Sequence, residues 1–167
     1  MNTIIALFQT QVKAEAEITR KFLKIIPEDK YDWKPHPKSM SLVVLATHIA
    51  ELPGWIPLAI DTDVLDFAVA DYKPTQVKNN HELQSVFEEN QKKALEVLAR
   101  TTDEFLQNEW TMRNGDDIYI KVSKEEVIRM TESQTIHHRA QLGVYLRLLD
   151  VPIPGSYGPS ADEMGFS

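Results

Sequence analysis

Two histidines and an amide carry the strongest chemical signal in this 167-residue sequence. His138 lies inside a helix-spaced apolar pattern with Val127, Thr131, Leu142, Tyr145 and Leu149, and Gln134 precedes it by one helical turn on the same face. His48 falls beside Leu45 and Leu52 on a second such pattern, with Glu51 one turn on, toward the edge. Two helices of this kind project two imidazoles and an amide into one interior space. Burying three polar side chains is unfavourable unless they find partners. They are therefore expected to be either ligands of a metal or satisfied core residues. His137 lies roughly 100° from His138 around the helix, toward the flank. His36 and His81 lie in or beside loops and are expected to be solvated.

Other chemistries are excluded. The sequence has no cysteine, which removes disulfides, thiolate metal sites and thiol nucleophiles and fits a reducing compartment. It has neither a Gly-rich phosphate loop nor a Gly-x-Ser-x-Gly elbow. Asp61, Asp63 and Asp66 imitate part of a calcium loop, but the turn glycine and the twelfth-position glutamate do not follow. Trp33, Trp55 and Trp110 are expected to pack in the core or a hairpin. The 25 acidic residues outnumber 18 Lys and Arg, a formal charge of −7 that disfavours nucleic acid and anionic membrane surfaces as partners. The apolar start, Ile4 to Phe8, is too short to span a bilayer and lacks the basic start of a signal peptide. A soluble cytoplasmic protein is expected.

The elements that must position these residues are mostly helical. Apolar spacing predicts a helix over residues 3–26, ended by Pro27. A second begins after Ser39 or Ser41 and kinks or stops near Pro53. Residues 61–79 read as a long polar connection, and a third helix spans about Asn80 to Arg100. A short turn is expected at 103–107. Two strand-like runs, Trp110–Arg113 and Ile118–Val122, flank Asn114-Gly115, which favours a tight hairpin. Ser123 and Glu126 form a capping box that opens the last helix, Lys124 to about Leu149. With 43% hydrophobic and 26% charged residues, the chain suits one domain over residues 1–167. Two strand-like runs are too few for a sheet that buries a core. The expected fold is thus all-α: a four-helix bundle with a long crossover connection and a small hairpin excursion before the last helix.

Three segments together resemble the DinB/YfiT-like superfamily of four-helix-bundle proteins. Tyr31-Asp32-Trp33-Lys34-Pro35 precedes a helix with Thr47-His48-Ile49-Ala50-Glu51. Ile136-His137-His138-Arg139-Ala140-Gln141 is similar to that family's His-His-Arg-Gly-Gln signature, and Val151 to Glu163 is similar to its C-terminal end. The resemblance implies a metal-dependent enzyme holding zinc or nickel on three histidines, one from the second helix and two spaced i, i+4 on the last. Here those positions are His48, Gln134 and His138. Gln134 departs from the pattern, and an amide oxygen in place of imidazole lowers the expected affinity. Glu51 would supply a carboxylate if the break near Pro53 turned it inward. The resemblance further implies thiol transfer with a low-molecular-weight thiol, or a hydrolase-like reaction, on a small molecule, and a homodimer. The alternative is a non-catalytic bundle that binds a small ligand or dimerises around a degenerate metal pocket.

Overall fold

The computed structural model describes residues 3–70, 73 and 75–164. Residues 71, 72 and 74 of the expected connection and residues 165–167 of the tail lie outside the described residues. Helix α1 spans Ile4–Lys24. Thr3 caps it, and the Asp103 carboxylate accepts hydrogen bonds from the Ile4 and Ile5 amides at 3.2 and 3.1 Å, placing negative charge at the helix N-terminus. Helix α2, Leu42–Glu51, is capped by Ser41. The prolines then act as expected: a 3₁₀ turn over Leu52–Gly54 separates α2 from α3, Trp55–Asp61. Helix α4 spans Asn80–Ala99, with Asn79 as its cap. Helix α5 spans Lys124–Leu148, and the Ser123 hydroxyl accepts from the Glu126 amide. A final turn, α6, covers Ala161–Met164. Helices α1 and α2 each pack on both α4 and α5.

The all-α expectation is wrong. The chain also forms a three-stranded mixed sheet: β1, Val64–Asp66; β2, Glu109–Asn114; and β3, Asp117–Ser123. The hairpin is β2–β3, with Trp110 opposite Val122 and Met112 opposite Ile120. Its turn is Gly115-Asp116, and Gly115 adopts a φ of 59° that glycine tolerates freely. The unforeseen strand comes from the supposed connection: Val64, Leu65 and Asp66 pair in parallel with Thr111, Met112 and Arg113. Three residues are too few to show a period of two. Asp66 instead anchors β1 by its side chain, whose Oδ1 accepts from the amides of Ala68 and Gly115, both at 3.0 Å. The sheet does bury a core. Trp110 is 1% exposed against Ala59 and Val127.

Residues 42–61 are long and apolar enough for a membrane span by composition, but the 3₁₀ turn interrupts them and 56% of the segment is buried inside the protein. Lys124, at the first turn of α5, is also fully buried. Its Nζ donates to the carbonyls of Ala59 and Thr62 and to Asp63 Oδ1 at 2.8, 2.5 and 2.8 Å. It thereby satisfies carbonyls at the end of α3, where helix geometry leaves them without partners.

Candidate functional site

His48 occupies the last turn of α2 and His138 the middle of α5. Their rings meet edge to face, with centroids 4.6 Å apart and planes at 81°. His138 Nδ1 lies 2.8 Å from Gln141 Oε1. That oxygen only accepts, so Nδ1 carries the proton and donates to it, leaving the lone pair on Nε2. Gln141 sits one turn further along α5, which accounts for the contact. Burial pushes the His48 pKa down and neighbouring His138 lowers it further, against the pull of Glu51. Burial likewise lowers His138, opposed by the Gln141 hydrogen bond and helped by His137. Both rings therefore favour the neutral form that binds metals.

Gln134 is exposed, yet it lines a cavity of 230 Å³ together with His48. His138 contacts His48 but does not line that cavity. His137 is exposed, its ring centroid 4.9 Å from that of His138. Glu51 lines a cavity together with His48 and acts on that ring through its charge. Its Oε1 accepts from the Thr75 amide at 2.9 Å, tying α2 to the segment before α4. His36 and His81 are exposed, as expected.

The donor chemistry can be tested against a divalent ion. Among the described residues no group of three or more His, Cys, Asp or Glu is placed to hold one. What meets is two half-buried imidazoles, with Gln134 lining the cavity beside His48. Neutral nitrogen donors, one of them oriented by a second hydrogen bond, fit zinc or nickel. The set contains one imidazole fewer than a three-histidine site.

The phase of α5 differs from the sequence reading. Its buried line runs through Thr131, Thr135 and Arg139, one residue on from Gln134 and His138. His138 is thus half-buried on the flank facing α2 and is not at the centre of the stripe. Arg139, 2% exposed, is the functional-looking residue that the apolar pattern missed. Its Nη2 donates to Glu15 Oε2 at 2.6 Å and to the Tyr157 hydroxyl at 2.8 Å, and its Nη1 donates to Thr19 Oγ1 at 3.0 Å. The Tyr157 hydroxyl in turn donates to Glu15 at 2.9 Å, latching the C-terminal tail onto this network. Glu132 lies beside it, buried, with Oε2 lacking a hydrogen-bond partner among the described residues. The available signal was an acid, Glu15, on the apolar stripe of α1 and a base on the opposing helix. Buried charges are stable only when so paired.

The model of the DinB family matches residues 1–165. Comparison with curated proteins finds no match. Among solved structures, a DinB-like protein of Bacillus subtilis superposes with a TM-score of 0.70 at 21% identity, covering 90% of this chain and 97% of its own. A DinB-like protein of Bacillus cereus gives 0.71 at 20% identity, with 93% and 99% covered. A putative DinB member from Exiguobacterium sibiricum gives 0.65 at 19% identity, with 93% and 97% covered.

Proposed function

The chain belongs to the DinB family, and from that premise we propose that it is a metal-dependent enzyme acting on a small molecule, with His48, Gln134 and His138 as ligands of zinc or nickel. The observation that carries this reading is the edge contact of His48 with His138, whose Nε2 is left free by the Gln141 hydrogen bond. A divalent ion there would supply Lewis-acid activation of a thiol or water near neutral pH. The chain's own part is to hold two neutral imidazoles on separate helices and to fix one tautomer through Gln141. Gln134, at the cavity rim, orients a polar group entering from solvent. Thiol transfer from a low-molecular-weight thiol, or a hydrolase-like reaction, is the chemistry that this site serves. A cysteine-free chain suits the reducing cytoplasm, and a second copy of the chain is the expected partner.

Metal analysis of protein prepared without a chelator or histidine tag tests the reading. Near one zinc or nickel per chain, before or after dialysis against the ion, supports it. No uptake would leave the second reading, a non-catalytic bundle binding a small ligand, which the glutamine at position 134 favours.

A further inference from the structure

The 230 Å³ cavity beside His48 has a marked chemical asymmetry. Trp55 and Trp110 line it and meet edge to face with centroids 6.4 Å apart. The Trp110 indole N–H donates to Thr62 Oγ1 at 3.1 Å, so its polar atom is already satisfied elsewhere. The Thr131 hydroxyl at the wall donates to the Val127 carbonyl within α5. Met112 of β2 and Met130 of α5 add two thioethers, which adapt in shape and favour aromatic rings. The remaining polar groups are the His48 ring and the Gln134 amide, and neither forms a hydrogen bond within the described residues.

Size narrows the occupant. An apolar cavity of about 150 Å³ accommodates benzene, and drug-sized pockets start near 300 Å³. The space here therefore suits one ring with a short substituent. Among the described residues no cationic side chain lines the cavity, so an anionic body would be buried unpaired at a cost.

We infer that this cavity binds a single uncharged aromatic ring bearing one polar substituent, the ring packed against the wall that Trp55 and Trp110 form together and the substituent at His48 and Gln134. This deepens the proposed enzymatic reading by naming a substrate class, and it rests on that reading only for what happens at the polar end. The β2–β3 hairpin closes the pocket, through Trp110, Met112 and Ile120.

The test uses 4-iodophenol with the full chain, free of added metal. Iodine quenches nearby tryptophans and can be located by anomalous diffraction. Saturable quenching of part of the tryptophan emission is expected, with Trp33 outside the cavity unaffected, and iodine in the cavity beside Trp55 and Trp110. Hexan-1-ol, apolar but without a ring, should bind at least fivefold more weakly. Met130→Trp should weaken 4-iodophenol binding at least tenfold, and Ile120→Trp serves the same purpose from the sheet if the first variant fails to fold. A parallel zinc titration separates the two readings: no zinc binding with iodine in the cavity sinks the metal site alone. Unsaturable quenching, iodine elsewhere, equal affinity for hexan-1-ol, or full binding by the folded filled variants would overturn the inference.

Discussion

Arg139 and Glu15 form a buried ion pair between α5 and α1, Nη2 to Oε2 at 2.6 Å. Adjacent residues on a helix diverge by about 100°. Holding Arg139 against α1 therefore leaves His138 facing α2, where it meets His48. The pair sets the rotation of the helix that carries Gln134 and His138.

Removing one partner of a buried pair strands the other charge. Arg139→Ala should destabilise the protein by about 3–5 kcal/mol, measured by urea unfolding. A loss of less than about 1 kcal/mol, the range of an exposed pair, would contradict a structural role for this network.

Glu132 gives a pH signature. Burial first, and then the charge of Glu15, raises its pKa from 4.5 to about 7, against the attraction of Arg139. The folded state thus holds a proton that the unfolded state releases, so stability is full below the unfolded pKa and falls as pH rises through the folded one. Glu132→Gln removes this loss. Relative to the parent, the variant should gain on the order of 2–3 kcal/mol between about pH 5 and pH 8. Denaturant curves at both pH values measure it, and a constant difference would show that Glu132 does not titrate in this way.

Lys124 is buried as well, and its role is to close α3. Lys124→Met keeps the aliphatic stem but orphans the carbonyls of Ala59 and Thr62. A loss of about 2–3 kcal/mol is expected, read as a lower thermal midpoint. An unchanged midpoint would mean that water replaces the ammonium without penalty.

The elements with long apolar stripes or explicit caps were legible in the sequence: α1, the proline break between α2 and α3, and the Ser123 start of α5. Strand β1 was not, because three residues carry no periodicity and its partner lies far along the chain. The misjudged phase of α5 has a related cause. Glu132, Thr135 and Arg139 are polar but buried, so a stripe drawn without them shifts by one residue. His48 and His138 were still brought together, since a shift of one position moves His138 to the flank facing α2 and not to the outside. Tyr157, reaching Arg139 from the tail, had no local signal at all.

If Gln141 fixes the His138 tautomer, Gln141→Leu should lower zinc affinity by about tenfold or more, as loss of a hydrogen bond to a metal-bound histidine does elsewhere. Equal affinity in a competition assay with a chromogenic chelator would remove Gln141 from the site.

In the reading proposed above, His48, Gln134 and His138 form a metal site weakened by one amide. Calorimetric titration of the parent and Gln134→His with zinc tests it most directly. The variant restores a third imidazole one turn before His138 and should bind at least tenfold more tightly, a gain of about 1.4 kcal/mol or more. Equal and negligible heats for the two proteins would contradict the claim.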